Sequence, residues 1–299
     1  MNNVKNEFSI KDLENLSGIK AHTIRIWEKR YNLLTPKRTD TNIRHYPLCS
    51  LQKLLNITLL YNNGYKISKI AEIPENKISI LAKEIVSINS IKDQSINDFK
   101  LAMLNFDQVH FTKTYNKLLL TKTFQEIFYE IFIPLLNELG LLWQTNTITP
   151  SHEHFITGLI KQKIIFNTEI AQVNYNTKNS KLFVLYLPEN EIHEIGLMYL
   201  NYEIIQKGYQ SIYLGQTIPM DSLKDLLKYY SNITFVSYFT IEPNKEKINN
   251  YITKFNTEIN LKSDSELWIL GYLTKEIDCE NRPSRVKIFS SITELTNKL

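Results

Sequence analysis

The residues with the clearest capacity for chemistry lie in one loop, Pro188 to Gly196, whose sequence is PENEIHEIG. The loop places His193 between Glu191 and Glu194, directly after an apolar run and at the start of a helical segment. An acid two residues before a ligating histidine can orient the imidazole ring and raise its basicity. A histidine at a helix start is otherwise a surface or capping residue. Both interpretations of His193 stay open at the level of sequence.

The elements around this loop alternate between strands and helices. KLFVLYL is a continuous apolar strand, EIHEIGLMYLNYEIIQKG is a helix that ends at Gly208, and SIYLG, TFVSYFT and LWILGYL are further strands. The segments DSLKDLLKYY and NKEKINNYITKFN have helical patterns between them. This alternation predicts a doubly wound parallel sheet, a Rossmann-like α/β domain over residues 178 to 299. Because such sheets bind ligands at the carboxyl ends of their strands, the His193 loop lies where a ligand is expected.

Residues 79 to 177 have a different pattern, with five amphipathic segments whose apolar residues recur three and four positions apart. Four or five such helices predict a four-helix bundle. This region contains Trp143 and, after nine further residues, the pair Glu153 and His154. The simplest interpretation makes Trp143 a core residue and places the pair on a solvated helix face.

The N-terminal segment predicts two short helices joined at a glycine. Ser9 and Asp12 form a capping box, so a first helix begins at Ile10 and is broken by Gly18. A second helix is expected from about Ala21 to Tyr31, with Ile24 and Trp27 facing inward. Its polar side carries Thr23, Arg25, Lys29 and Arg30. Two short helices in this arrangement suit docking in the DNA major groove.

A β-hairpin is predicted after Pro36. The chain turns through residues 37 to 42 and resumes at Ile43, which puts Arg38 and Arg44 on opposite strands of a small wing. Four arginines of the N-terminal segment have no evident packing role, namely Arg25, Arg30, Arg38 and Arg44. We therefore expect them to clamp phosphates, which sets register and orientation, rather than to recognise bases.

Charge is distributed unevenly along the chain. The whole sequence carries a formal charge of +4, and residues 1 to 80 contain thirteen Lys and Arg against seven Asp and Glu, so this segment alone is +6. Basic charge is thus concentrated where DNA would lie. Cys49 and Cys279 are far apart and form no metal-type pair, which favours a reducing compartment. We expect a cytoplasmic, nucleoid-associated location, because no signal sequence or membrane-spanning run is evident.

The order R-x-W-E-x-R-Y in the second helix, followed by R-x5-R-x-Y across the hairpin, resembles the MerR family of regulators over about residues 6 to 78. The resemblance implies a winged helix-turn-helix that binds double-stranded DNA at a pseudo-palindromic operator as a homo-oligomer, a dimer or tetramer. The DNA-binding residues it implies are Thr23, Arg25, Lys29, Arg30, Tyr31, Arg38, Arg44 and Tyr46. The alternative makes Trp27, Tyr31 and Tyr46 core aromatics, an interpretation that we favour for Trp27.

The second half of the chain resembles cobalamin-binding domains, whose signature is D-x-H-x-x-G. His193 and Gly196 match it, while Glu191 stands in place of the aspartate. In the family this histidine coordinates cobalt from below, so the metal ligand implied here is His193. MerR regulators of the CarH/LitR type also carry W-x9-E-H, which Trp143, Glu153 and His154 match in full. These three residues are implied to cover the upper face of the cofactor, adenosylcobalamin.

Besides Glu191, three further positions, Gln144, Phe239 and Tyr272, depart from this family pattern. Gln144 stands where light-responsive members have a second cobalt-binding histidine. The S-x-L that borders the nucleotide tail of cobalamin corresponds to Ser237, Tyr238 and a phenylalanine, and the G-G corresponds to Gly271 followed by Tyr272. A tyrosine in place of the second glycine narrows the groove for the tail.

The resemblance implies a transcriptional repressor that responds to cobalamin or light and controls carotenoid or photoprotection genes. The alternative is a cobalamin-independent regulator whose C-terminal half serves oligomerisation or binds an antirepressor protein. An enzyme is the third interpretation, since cobalamin domains also serve methyltransferases and mutases. It is disfavoured because the sequence offers no nucleophile with its base, metal-ligand cluster or Walker loop.

Overall fold

The computed structural model describes residues 7–84, 88–144, 147–173 and 181–299. The chain divides into two compact units, Met1–Ile160 and Lys161–Leu299. The boundary between the units falls within a helix, whereas the sequence suggested boundaries at residues 78 and 177. The division into three domains stays a prediction. Among the described residues, none of the helices has the length and apolar character that crossing a bilayer requires.

The first unit begins with strand β1 (Glu7–Phe8) and helices α1 (Ile10–Ser17) and α2 (Ala21–Tyr31). The predicted capping box is present, since the amide of Asp12 donates to Ser9 Oγ at 3.1 Å and the amide of Ser9 donates to the Asp12 carboxylate at 2.8 Å. Gly18 ends α1 with a φ of 75°, a conformation that favours glycine. Ile24 and Trp27 are buried, as predicted.

Strands β2 (Lys37–Arg38) and β3 (Arg44–Pro47) follow, and a three-stranded antiparallel sheet forms in the order β1-β3-β2. Arg38 lies opposite Arg44 in the register of this hairpin. Asn42 adopts a φ of 64° in the turn, a conformation that asparagine tolerates better than most residues. The prediction of two short strands, each with a basic residue, is confirmed.

The rest of the first unit is helical. Helices α3 (Leu48–Asn62), α4 (Ile67–Ala71), α5 (Glu75–Glu84), α6 (Ile88–Leu104) and α7 (Gln108–Leu119) come first. Helix α8 (Phe124–Ile127) continues through a π-helical turn, Phe128–Phe132, into α9 (Ile133–Gln144), and α10 (Pro150–Val173) follows. Buried aromatic side chains from α6, α7 and the π-helical turn form the centre of this region, among them Phe99, Phe111 and Phe132.

Two side-chain contacts join α1 to the later helices of the first unit. The buried Lys100 donates to the carbonyl of Leu16 at 3.4 Å and forms an ion pair with Glu138. Asn15 Nδ2 donates to Thr147 Oγ1 at 2.9 Å. Since Leu16 lies in the last turn of α1, the ammonium group of Lys100 also meets the negative end of that helix dipole.

The second unit contains a parallel sheet, as the sequence predicted, and this sheet has five strands. Its strands are β4 (Leu182–Pro188), β5 (Gln210–Ile218), β6 (Ile233–Tyr238), β7 (Glu266–Leu270) and β8 (Val286–Ile288). Helices α11 (Ile195–Gln206), α12 (Met220–Leu226) and α13 (Ile248–Glu258) connect the first four strands in turn, and α14 (Ile292–Thr296) follows β8. The strand order is β5-β4-β6-β7-β8. The short strand β8 was not predicted.

Candidate functional sites

Helix α2 presents basic side chains to solvent. Arg25, Lys29 and Arg30 are exposed, while Thr23 and Tyr31 are partly exposed. The inward positions Ile24 and Trp27 fix the rotation of the helix, which leaves the polar side outward. Trp27 contacts the Tyr61 ring edge to face at 5.2 Å, so it is a core residue.

Glu28 connects α2 to the hairpin. One carboxylate oxygen accepts from Arg44 Nε at 3.1 Å, and the other accepts from the Tyr46 hydroxyl at 2.9 Å. Burial, together with the nearby Glu28 carboxylate, raises the pKa of Tyr46 well above its usual value. The Tyr46 side chain is fully buried, so it can influence DNA only through the groups that it holds in place. Sequence analysis named Tyr46 as a DNA contact and missed the linking role of Glu28.

Arg38 lies on the exposed side of the hairpin. Its Nη1 donates to Asn42 Oδ1 at 2.6 Å, which ties the side chain to the turn. Arg44, on the facing strand, is only partly exposed because Glu28 holds it against α2. The two arginines that were expected to clamp phosphates therefore differ in how firmly the fold holds them.

The second candidate site lies at the switch point of the parallel sheet. Along the chain β4 is the first strand of this sheet, and in the sheet order β5-β4-β6-β7-β8 it lies between the second strand, β5, and the third, β6. The connections that leave β4 and β6 therefore run in opposite directions along the sheet. A crevice between the carboxyl ends of two such strands is the usual ligand site of an open α/β sheet. The His193 loop follows β4 and the segment 239–243 follows β6, so both candidate loops meet at this point.

Glu191 joins the two loops across the switch point. Its Oε1 accepts from the amides of Ile192 and His193 and lies 2.6 Å from His193 Nδ1. Its Oε2 accepts from three consecutive amides, those of Thr240, Ile241 and Glu242, at 2.7–3.1 Å. Burial alone would raise the pKa of this carboxyl, but these hydrogen bonds outweigh burial and lower the pKa to about 2. The carboxylate is therefore ionised at neutral pH.

His193 is held by this carboxylate while 47% of its side chain stays exposed. Because a carboxylate accepts, Nδ1 carries the proton, and the lone pair of the neutral ring lies on Nε2. A half-exposed imidazole with a fixed tautomer is a suitable ligand for a metal presented from solvent. The predicted partnership of Glu191 with His193 is thus present in the structure, and Glu191 holds a second loop as well.

Two glycines of the predicted site serve close packing within the protein. A Cβ on Gly196 would lie 2.9 Å from the ring of Tyr238, so that ring covers the start of α11. Gly271 has a φ of 108°, and a Cβ there would lie 2.7 Å from the carbonyl carbon of Phe239. Burial raises the pKa of Tyr238 above its usual value.

Ser237 is oriented into the sheet. It is fully buried, and its hydroxyl donates to the carbonyl of Tyr186 at 2.9 Å. To donate to a cofactor in its predicted role, the Ser237 hydroxyl would have to give up this hydrogen bond to Tyr186. Tyr272 is 68% exposed, with Lys275 Nζ 3.5 Å from its ring centre. The sequence singled out Tyr272 as the obstruction, whereas Tyr238 is the tyrosine that lies over a motif glycine.

The W-x9-E-H residues lie on α9 and α10. The side chains of Trp143 and Gln144 lie outside the described residues. Glu153 and His154 are in the first turns of α10, both partly or largely exposed, and their side chains lie 3.9 Å apart. The neighbouring His152 is buried, stacks on Phe106 and contacts the Thr149 hydroxyl at 2.8 Å, so it supports the start of the helix.

Comparison with known proteins finds two family models in this chain. Residues 8–77 match the MerR HTH family of regulatory proteins, and residues 95–165 match a B12 binding domain. The second match contains Trp143, Glu153 and His154. The first match contains α1, α2 and the hairpin.

Similar proteins are found among transcription regulators. The chain is 25% identical over 214 residues to the HTH-type transcriptional repressor CarH of Myxococcus xanthus, which covers 70% of each protein. It is 22% identical over 218 residues to the repressor CarA of the same organism, which covers 72% of this chain and 70% of CarA. The monomethylamine corrinoid protein of Methanosarcina barkeri has a similar fold, with a TM-score of 0.56 and 13% identity, over 69% of this chain and 97% of that one.

Proposed function

We propose that this chain, a homologue of the CarH and CarA repressors with a MerR-type helix-turn-helix ahead of a B12-binding domain, is a DNA-binding repressor governed by a corrinoid. The observation that carries the proposal is the combination of two sites in one chain. An exposed basic helix lies beside a basic hairpin, and a carboxylate-held histidine lies at the switch point of a parallel sheet.

The DNA-binding half is supported by α2 and the hairpin. Exposed Arg25, Lys29 and Arg30 suit the major groove and its phosphates, and Arg38 suits the backbone as part of a wing. The Glu28 carboxylate fixes the angle between helix and wing through Arg44. As in other helix-turn-helix proteins, we expect a homo-oligomer, a dimer or tetramer, to place two such helices on a pseudo-palindromic operator. A protein acting on chromosomal DNA belongs in the cytoplasm.

The sensory half is supported by the donor set at the switch point. His193 would hold the cobalt of a corrinoid through Nε2, and Glu191 would fix the tautomer and position of the ring. A corrinoid held there would supply a cobalt centre with an exchangeable ligand, which is the chemistry that a sensor needs. Glu153, His154 and Trp143 are proposed to approach the upper side, as their match to the B12-binding model suggests.

Two side-chain links to α1 inside the first unit support a route from the proposed sensory residues to the DNA-binding helices. Thr147 lies in the connection between α9 and α10, six residues before Glu153, and it accepts from Asn15 on α1. Lys100 forms the second link to α1. A change in the connection before α10 would therefore bias the position of α1, which is the kind of population shift that a repressor needs.

The DNA-binding half is tested by selecting an operator for the full chain from random-sequence duplexes and measuring its affinity at several salt concentrations. Arg25→Ala should weaken binding by about 1–3 kcal/mol, and loss of one phosphate contact should reduce the salt slope by about 0.9. Lys228→Ala removes an exposed charge from the second unit and should change neither quantity. An unchanged affinity in Arg25→Ala would contradict the assigned role of α2.

The sensory half is tested by purifying the protein in the dark with adenosylcobalamin and recording its absorption spectrum. We expect a bound corrinoid spectrum that His193→Ala abolishes. His110→Ala is the matched control, because that side chain is 40% exposed and lies on α7, outside the site. Failure of any corrinoid to bind at high micromolar concentration would leave a repressor without this sensor.

A further inference from the structure

We infer that the α/β domain binds a corrinoid lacking the nucleotide tail more tightly than it binds complete cobalamin, because the chain's own atoms fill the crevice at the switch point. The inference rests on the proposed function and names the ligand class of that same site. It concerns the nucleotide tail of the ligand, which would have to enter the crevice at the carboxyl edge of the sheet, and not the corrin ring that would face His193.

Tyr238 closes the crevice from the β6 side. It is the last residue of β6, and its ring lies so close to Gly196 that a Cβ on the glycine would meet ring atoms at 2.9–3.3 Å. Gly196 begins α11 after the His193 loop. The space that the missing glycine side chain leaves at the carboxyl end of the sheet is therefore taken by an aromatic ring of the protein.

Glu191 closes the crevice between the His193 loop and the segment 239–243. Three consecutive amides, residues 240 to 242, converge on its Oε2. Successive amides that converge in this way form a concave anion site, which would suit a phosphodiester such as the one in the nucleotide tail. Here the Glu191 carboxylate already accepts hydrogen bonds from all three amides. An incoming anion could bind these amides only by displacing Glu191, which would leave the buried charge of Glu191 without those bonds.

The floor of the crevice is also occupied. The Ser237 hydroxyl is committed to the Tyr186 carbonyl, and the Tyr186 hydroxyl lies 2.9 Å from that of Tyr251. The backbone of Phe239 packs directly against Gly271, which leaves no room for a further group at that glycine. An inserted tail would have to displace several buried contacts at once.

The His193 side chain, which would meet the corrin ring, stays 47% exposed while Glu191 holds it. Cobinamide, the corrinoid without a nucleotide tail, offers an open lower position on cobalt and needs no crevice. It can therefore bind through His193 while Tyr238 and Glu191 keep their places. Complete cobalamin bound through the same histidine must also find room for its tail.

The experiment titrates the full-length protein in the dark with aquocobinamide and, separately, with hydroxocobalamin, and follows the corrinoid absorption bands. The wild-type protein should bind cobinamide at least about tenfold more tightly. Tyr238→Ala should tighten cobalamin binding by about tenfold and leave the cobinamide affinity within about twofold. Tyr229→Ala, the removal of an exposed tyrosine elsewhere in the second unit, should change neither affinity.

Operator binding is measured on the same preparations, which separates the two levels of the proposal. Equal affinity of the wild-type protein for both corrinoids would overturn the inference and leave the corrinoid-governed repressor intact. Binding of neither corrinoid by wild type or by Tyr238→Ala would overturn the sensor as well, whether or not DNA binding persists. The base of hydroxocobalamin also competes with His193 for cobalt, so a wild-type preference supports the inference only if shortening Tyr238 reduces it, and an unchanged preference would overturn the inference. Tyr238→Leu is the second variant if Tyr238→Ala does not fold.

Discussion

Glu191 shows how much one buried side chain can determine. The sequence identified it as the partner of His193, and this contact could be predicted because the two residues are only two positions apart in the loop. Its bonds to residues 240 to 242 could not be predicted, because they depend on β4 and β6 being neighbours in the sheet. The extra methylene of glutamate allows a single carboxylate to reach both loops.

The charge of Glu191 should make a measurable contribution to stability. Its folded pKa of about 2 lies below that of an unfolded glutamate, so the contribution is present above about pH 4.5 and is lost as the pH falls toward 2. Glu191→Gln should lower the unfolding free energy by about 3 kcal/mol at pH 7, and the difference should shrink in that acidic range. Thermal unfolding of the full chain at several pH values measures this effect.

The control for this prediction is Glu189→Gln, which changes an exposed glutamate of the same loop. Its effect should stay within about 0.5 kcal/mol. A Glu191→Gln protein as stable as wild type at pH 7 would show that the six hydrogen bonds merely replace bonds to water. A second variant, Glu191→Asp, should keep the histidine contact and lose the bonds to the second loop, since its side chain is shorter.

At the scale of elements, close packing explains which glycines the fold needs. Gly271 combines a φ of 108° with backbone atoms of Phe239 in the position of a side chain. Gly271→Ala should therefore destabilise the protein by about 2–4 kcal/mol, through backbone strain and displacement of the β6 end. The midpoint of chemical denaturation, followed by circular dichroism, measures the change.

The matched substitution is Gly158→Ala in the middle of α10, where a Cβ would meet no atom within 4 Å. Alanine is the better helix former, so this variant should gain about 0.5–1 kcal/mol. A loss of stability in Gly271→Ala together with a gain in Gly158→Ala would support the packing argument. Equal effects in the two variants would mean that general backbone freedom, and not the contact with Phe239, decides.

Elements were predicted best where local signals were strong. The capping box and Gly18 gave both ends of α1, and the alternation of apolar runs gave four of the five parallel strands. Strand β8 has only three residues and one fully buried side chain, so it lacked a pattern to detect. The π-helical turn arises inside a continuous apolar segment, where helical periodicity cannot distinguish it.

At the scale of the whole molecule, the proposed coupling between corrinoid and DNA binding depends on the contacts of α1. If the link between Asn15 and Thr147 transmits the corrinoid signal, Asn15→Ala and Thr147→Val should each reduce the effect of corrinoid on operator affinity. The double variant should be no worse than either single one, because both remove the same bond. Operator affinity with and without corrinoid measures the coupling.

The control for this coupling is Lys77→Ala, which removes an exposed side chain from α5 and should leave the corrinoid effect unchanged. Fully additive losses in the double variant would exclude the bond as a shared route. Sequence analysis could not propose this route, since Asn15 and Thr147 are 132 positions apart. The charge of the N-terminal segment and the resemblance of the later residues to cobalamin-binding domains did predict that DNA binding and ligand sensing belong to separate parts of the chain.

The two cysteines have a practical consequence. Cys49 and Cys279 are the only cysteines in the sequence, both are exposed with free thiols, and one lies in each compact unit. The native protein can therefore take one spin label or fluorophore on each unit without any mutation. Pulsed dipolar spectroscopy or single-molecule energy transfer could then follow the distance between these two points as operator and corrinoid are added in turn.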